Sequence, residues 1–172
     1  MANPTENIYS LNNYDLDSID SIRITIVNTE WNPDIIAQLT TSCLDTLAEL
    51  GIQKAHMDTI TVPGSFELPL GARYIIGSKD KPDAVICLGC VIQGETKHDD
   101  YINHSISKSI SQLSLMSNTP VILGVLTTNN KDQALARANG TKGDKGKESA
   151  YAALKMISIK QRCQSAKSKI SF

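Results

Sequence analysis

The sequence predicts one α/β domain, in which a four-stranded parallel sheet is covered by helices on both faces. Apolar segments of strand length alternate with segments whose apolar residues recur every three or four positions, the period of a helix. The strand segments are continuous apolar runs, which is typical of strands buried on both faces of a sheet. Right-handed crossovers between such strands give a small doubly wound domain, whose ligands bind beyond the carboxyl ends of the strands.

Four strands and five helices account for most of the chain. The expected strands are Ile22–Val27, Ala55–Val62, the run from Ala84 that Gly94 interrupts, and Val121–Leu126. The expected helices are Pro33–Leu50, Phe66–Ile76, the segment from Thr96 to Asn118, Lys131–Ala138 and Lys147–Gln161.

Proline, glycine and capping residues mark the helix ends. Pro33 suits the first position of the first helix, and Gly51 suits its C-terminal cap. Ser65 is the expected cap of the second helix. Thr96 occupies the expected N-cap of the third, with Asp99 three residues later, an acidic variant of the capping box.

Composition excludes several classes of partner. The chain has 172 residues and a formal net charge of −1, so no basic field recruits nucleic acid or an anionic membrane. No apolar run approaches the roughly 20 residues of a membrane span. The polar stretch 1–21 lacks the features of a signal peptide and is expected to be a flexible arm, which leaves a domain over 22–161 and a tail over 162–172. We expect a cytoplasmic protein.

The four cysteines do not suggest disulfides in a chain of this size. Cys87 and Cys90 have C-x-x-C spacing, but an odd separation on a strand points side chains to opposite faces. We therefore expect buried apolar thiols rather than a metal or redox pair. His104 lies six residues after His98, on a different face of the same helix, so the two histidines do not form a metal site.

The turns after the four strands meet at one edge of the predicted sheet, where a single pocket draws on all of them. His98, in the first turn of the third helix, is the candidate for proton transfer, and an exposed histidine without a role is the alternative. The free backbone N–H groups of that helix start favour an anion, phosphate above all.

Three further side chains have a functional and a structural interpretation. Trp31, the single tryptophan, is either a stacking surface for a flat heterocycle or an anchor for the first helix. Glu67 either complements a helix dipole or accepts hydrogen bonds from ligand hydroxyls. Arg137 lies in the one local basic cluster, which is either a solvated loop or a phosphate clamp. Walker and G-x-G-x-x-G motifs are absent from the sequence.

Together these motifs resemble the lumazine synthases, the 6,7-dimethyl-8-ribityllumazine synthases of riboflavin biosynthesis. The likeness extends over about 22–159, with the motifs in the family's order. The matching residues are Trp31-Asn32, Val62 to Pro69, Gly89 to His98, Gly124 to Thr128, Gln133 to Arg137, and Lys145-Gly146.

The resemblance implies a flavodoxin-like three-layer α/β/α sandwich and a transferase that needs no metal or organic cofactor. The family condenses 5-amino-6-(D-ribitylamino)uracil with 3,4-dihydroxy-2-butanone 4-phosphate and releases phosphate and water. The implied contacts to the ribitylaminouracil are Trp31, Ser65, Phe66, Glu67, Cys90, Val91, Ile92, Leu123 and Lys145. The implied contacts to the butanone phosphate are Glu95, Thr96 and Arg137, and His98 is the implied catalytic residue.

The resemblance also implies partners. The family forms pentameric rings, some members pack these into 60-subunit icosahedral shells, and riboflavin synthase is a further implied partner. Leu123, Arg137 and Lys145 are implied to reach the site from the next subunit of the ring.

Three positions depart from the family's pattern. Gln93 stands where a basic residue is common, Asp99 replaces an aromatic residue, and Leu123 occupies a position often held by phenylalanine. We expect them to affect substrate affinity more than activity. Two other functions stay open on sequence alone: a relative that binds flavin or lumazine without making it, and a purely structural shell protein. An assay with both substrates distinguishes the enzyme from both.

Overall fold

The computed structural model describes residues 16, 19–138 and 140–168, and this part of the chain contains four strands and five α-helices. The strands are β1 (Ile24–Thr29), β2 (Met57–Val62), β3 (Ala84–Ile92) and β4 (Val121–Thr128). The helices are α1 (Pro33–Glu49), α2 (Leu68–Ile76), α3 (His98–Ser117), α4 (Lys131–Ala138) and α5 (Lys145–Ser168).

The four strands form one parallel sheet in the order β2-β1-β3-β4, so β1 and β3 are its central strands. Side chains on one face, such as Ile26 and Leu88, form a core with residues of α1, α4 and α5. Side chains on the other face, such as Val27 and Val85, form a second core with residues of α2 and α3. The two cores give three layers, which confirms the predicted flavodoxin-like α/β/α sandwich.

The thiols follow the predicted pattern. Cys90 belongs to the core under α1 and α5, whereas Cys87 belongs to the core under α2 and α3, so the two side chains do lie on opposite faces of β3. All four cysteines are free. Burial raises the pKa of Cys87 and of Cys43 to about 12 and that of Cys90 to about 11.

Several element ends were predicted correctly. Pro33 opens α1, Gly51 follows its C-terminus with a φ of 98°, and α4 has the bounds that the sequence predicts. β1 and β4 each extend two residues beyond the predicted end, to Thr29 and Thr128, whose side chains are buried.

Two predicted helix caps are wrong. Ser65 is buried in a 3₁₀ turn, Ser65–Glu67, that precedes α2, so it does not cap that helix. α3 begins at His98, and its N-cap Lys97 makes no side-chain capping hydrogen bond. Because the N-cap is Lys97 and not Thr96, Thr96 and Asp99 do not form the predicted capping box.

α5 begins two residues earlier than predicted because contacts with α1 fix its start, and it also ends later, at Ser168. The carboxylate of Asp144 accepts hydrogen bonds from the Lys147 N–H at 3.0 Å and from Ser42 Oγ of α1 at 2.6 Å. A methyl group on Gly146 would lie 2.3 Å from the Leu39 carbonyl oxygen, so only glycine permits this approach of α5 to α1.

The predicted arm, 1–21, lies mostly outside the described residues. Its described end forms a 3₁₀ turn, Ile19–Ser21, and Ile19 packs against the core beside Gly51. The last four residues of the predicted tail, 169–172, also lie outside the described residues. Within the described part of the chain, no helix combines the length and apolarity needed to span a bilayer.

Candidate functional site

The turn after β1 presents Trp31 beyond the carboxyl edge of the sheet. The indole is 72 % exposed, which is more than the alternative of a partly buried anchor for the first helix predicts. The Glu30 N–H donates to the Val62 carbonyl of β2 at 3.0 Å, and the Asn32 side-chain amide donates to the Cys90 carbonyl of β3 at 3.3 Å. The turn is therefore bonded to both strands that flank β1.

Gly64 lies between Trp31 and Glu67. A methyl group in place of its hydrogen would lie 3.1 Å from Glu67 Oε2 and 3.5 Å from Trp31 Cδ1. The φ of Gly64 is −151°, an extended value open to any residue, so the glycine provides space for Glu67 rather than a special conformation. An aromatic face and a half-buried carboxylate thus border the same small gap.

The turn that carries Glu67 is held on β3 by a second glycine. A methyl group on Gly89 would lie 2.8 Å from Ser65 Oγ and 3.0 Å from a methyl carbon of Leu68. The absent side chain lets Ser65 sit directly on the strand, while the Phe66 ring next to it stays exposed. Gly89 therefore sets the height of the Ser65–Glu67 turn above the sheet.

The end of β3 forms the floor of this region. Cys90 is buried, Val91 and Ile92 are half-buried, and the Gln93 N–H donates to the Thr128 carbonyl at 2.8 Å. The side chains of Cys90, Val91 and Ile92 make this floor apolar. Their exposure increases towards the end of the strand, so the floor is open to solvent there.

The segment between β3 and α3 is open. Glu95, Thr96 and His98 are all exposed, and a methyl group on Gly94 would meet no protein atom within 4 Å. His98 is the first residue of a 20-residue helix, so the unpaired N–H groups of the first turn lie beside it. The exposure agrees with both interpretations of His98, the proton-transfer group and the plain surface residue.

Two acceptor oxygens near this helix start have no partner. Asp99 Oδ1 and Asn103 Oδ1, one helical turn apart, are both buried and make no hydrogen bond. One oxygen of the Asp99 side chain therefore lies inside the protein and does not simply point into solvent beside His98.

Three of the predicted residues are not brought to this edge within one chain. Leu123 pairs in register with Cys87, whereas Cys90 pairs with Leu126. Leu123 therefore lies three residues, or about 10 Å along the strand, before the position that is level with Cys90. Arg137 is exposed on α4 and donates to the Gln133 carbonyl at 3.0 Å. Lys145 is engaged in an ion pair with Glu148. Both basic residues belong to helices on the α1 side of the sheet, whereas His98 is on the other side.

The structure adds two interactions that the sequence analysis did not include in the site. Asn32 links the Trp31 turn to β3, and its place between a strand and a helix-initiating proline was the available signal. Asp34 and Lys131 form an ion pair of 2.7 Å that joins the starts of α1 and α4. The hydrogen bond from Lys131 holds the pKa of Asp34 below its ordinary value.

Comparisons with known proteins agree with the resemblance. Residues 21–161 match the model of the family described as 6,7-dimethyl-8-ribityllumazine synthase. A protein of that name from Cytophaga hutchinsonii is 45 % identical over 157 residues, which cover 91 % of this chain and 98 % of the relative. The proteins of that name from Phocaeicola vulgatus and Parabacteroides distasonis are each 40 % identical, covering 91 % and 87 % of this chain and 94 % and 95 % of the relatives.

Proposed function

This chain belongs to the 6,7-dimethyl-8-ribityllumazine synthase family, whose members are transferases of riboflavin biosynthesis, and we propose how its residues divide the work of that reaction. The reaction joins 5-amino-6-(D-ribitylamino)uracil to 3,4-dihydroxy-2-butanone 4-phosphate and releases phosphate and water. It needs two small molecules held side by side more than it needs a strong nucleophile.

The uracil ring stacks on Trp31 above the apolar floor of β3. The observation that carries this assignment is the exposed indole beside Gly64, with the Glu67 carboxylate on the other side of the same gap. An exposed aromatic face suits a flat heterocycle, and a half-buried carboxylate suits the hydroxyl groups of a ribityl chain. Ser65 and Phe66 complete the ribityl side, and Cys90, Val91 and Ile92 contact the ring.

The phosphate binds at the start of α3. The segment 94–97 is exposed, nothing fills the space over Gly94, and the N-terminus of a long helix favours an anion. Glu95 and Thr96 offer backbone N–H groups and a hydroxyl there. His98, in the same turn, lies where a proton is needed between the two substrates.

The steps follow from this arrangement. The 5-amino group of the uracil attacks the ketone of the butanone phosphate, and loss of water gives a Schiff base. His98 moves protons as phosphate leaves, and ring closure with loss of a second water completes the lumazine. The protein supplies orientation through Trp31 and Glu67, and a positive end of a helix for the departing phosphate.

The site is shared between two subunits of a ring. Arg137 and Lys145 lie on the opposite side of the sheet from His98, so they serve that histidine only if a neighbouring copy presents them. The large apolar side chains Phe66, Leu70 and Tyr74 are exposed at a spacing of four residues beside the site, which supports a packed neighbour there. A head-to-tail ring permits such sharing, because each subunit offers two different faces.

Mixed rings test the sharing. Trp31→Ala and Arg137→Ala variants should each have low activity, whereas co-expression at equal levels should leave roughly one half times one half, or a quarter, of the sites intact. Trp31→Ala co-expressed with His98→Ala is the matched control, because both changes fall on the same face and no intact site can form. Recovery in the first mixture alone supports a shared site, and equal activity in both mixtures refutes it.

An assay with both substrates tests the activity itself, and mass measurement of the native particle distinguishes a pentamer from a 60-subunit shell. Formation of the lumazine with release of phosphate is the expected result. A bound yellow ligand without turnover would instead indicate a binding protein. We place the reaction in the cytoplasm, which agrees with four free thiols, and the product passes from there to riboflavin synthase.

A further inference from the structure

Asn32 has a left-handed backbone conformation, which is uncommon for residues other than glycine. Its φ of 58° and ψ of 56° are left-handed, and among the described residues other than glycine only Asn118 also has a positive φ. This region is unfavourable for most L-residues, and asparagine tolerates it better than most. The conformation turns the chain sharply between β1 and α1, and it places the Asn32 side chain over β3.

The Asn32 side chain does not do what an asparagine before a helix usually does. Asn130, before α4, accepts a hydrogen bond from the Gln133 N–H through its side-chain oxygen, which is ordinary N-capping. Asn32 makes no side-chain capping bond, and only its backbone oxygen accepts from the first turn of α1. Its amide nitrogen donates instead to the Cys90 carbonyl, at 3.3 Å.

This hydrogen bond joins the two parts of the proposed uracil site. Trp31 provides the stacking face, and Cys90 belongs to the floor beneath it. Burial cannot hold an indole that is 72 % exposed, so its position depends on the backbone of its turn. The Glu30 N–H fixes one side of that turn to Val62, and the Asn32 amide fixes the other side to Cys90.

We infer that Asn32 is a positioning residue for the ring-bearing substrate: its side-chain amide sets the distance between the Trp31 indole and the floor of β3. This inference rests on the proposed function. It assigns to the amide no contact with substrate, and it predicts an effect that is confined to the uracil half of the reaction.

Two substitutions separate the amide from the backbone conformation. Asn32→Gly keeps the left-handed conformation and removes the donor. Asn32→Asp keeps the shape and tolerates the conformation, but its carboxylate cannot donate to a carbonyl. Asn118→Gly is the matched control, because it makes the same change at the other left-handed asparagine, after α3 at the opposite edge of the sheet.

Loss of one neutral hydrogen bond should raise the KM for the ribitylaminouracil about two- to twelvefold in Asn32→Gly, and at least as much in Asn32→Asp. The KM for the butanone phosphate and kcat should change less than about twofold. Because Trp31 is the single tryptophan, the time-resolved fluorescence anisotropy of the protein reports indole motion directly, and it should show a freer indole in both Asn32 variants. Asn118→Gly should match the wild type in every readout.

The possible results of these measurements show whether the inference about Asn32 or the proposed function has failed. If wild-type protein lacks turnover, the proposed function fails, and an unchanged anisotropy in Asn32→Gly then overturns the positioning role as well. If Trp31→Ala raises the KM for the uracil but Asn32→Gly does not, the inference alone is overturned. If Asn32→Gly raises both KM values equally, Asn32 is merely structural and the inference is wrong.

Discussion

Alanine at position 64 should weaken binding of the ribityl chain without unfolding the protein. The added methyl would lie 3.1 Å from Glu67 Oε2, some 0.3 Å inside an ordinary contact, and 3.5 Å from Trp31 Cδ1, which is an ordinary distance. The carboxylate must therefore move by a few tenths of an ångström while the indole stays in place. Since φ is −151°, alanine introduces no backbone strain, and the free energy of unfolding should change by less than about 1 kcal/mol.

The effect on binding follows from the hydrogen bond at stake. A hydrogen bond to a charged group contributes about 1.5–3 kcal/mol, and misplacing the carboxylate should cost about 1 kcal/mol of it. The KM for the ribitylaminouracil should then rise about fivefold, with the KM for the butanone phosphate unchanged. Steady-state kinetics in which each substrate is varied in turn measure both values.

Two controls make the reasoning refutable. In a Glu67→Ala background, Gly64→Ala should have no further effect, because no carboxylate remains to be displaced. Gly94→Ala adds the same methyl where no protein atom lies within 4 Å, and it should leave the KM for the uracil unchanged. An effect of Gly64→Ala that persists without Glu67 would show that the methyl acts elsewhere, and the placement of Glu67 in the site would be wrong.

Three more outcomes follow. His98→Ala should lower kcat roughly 10- to 100-fold, a modest loss because the reactive amine and water also move protons, and unchanged turnover would remove His98 from the mechanism. Arg137→Ala should raise the KM for the butanone phosphate far more than that for the uracil, and equal increases would make Arg137 structural. Lys131→Met should return the pKa of Asp34 towards its ordinary value of 3.8 in an NMR titration. Because the pKa of Asp34 is depressed in the folded protein, the stabilisation that Lys131 provides is present above that ordinary value and is lost as the pH falls through the depressed one. The free energies of unfolding of the wild type and the variant should therefore converge in acid. A difference between them that stays constant with pH would contradict the ion pair.

Features that depend on local geometry were predictable from the sequence. The opposite orientation of Cys87 and Cys90 follows from the two-residue period of a strand, and Pro33 marks a helix start because its ring fixes φ. The bounds of α4 were correct for a related reason: Asn130 caps the helix through a hydrogen bond that spans three residues.

Features that depend on contacts between residues far apart in the chain were not predictable from the sequence. Ser65 resembles a helix cap in the sequence, yet it is buried because Gly89, 24 positions later, leaves room for it on β3. The start of α5 is fixed by a hydrogen bond between Ser42 and Asp144, which are 102 positions apart.

The buried thiols make the separate opening of the two helical layers measurable. The thiolate is the nucleophile that attacks an alkylating reagent, so the buried Cys43, Cys87 and Cys90, with their raised pKa values, react only when local unfolding exposes them. Cys163 is exposed and should be modified at once, giving one label per native subunit. Detachment of α1 and α5 would then label Cys43 and Cys90, whereas detachment of α2 and α3 would label Cys87. Pulsed alkylation followed by mass spectrometry would thus report which layer loosens first when the protein is warmed, without any engineered probe.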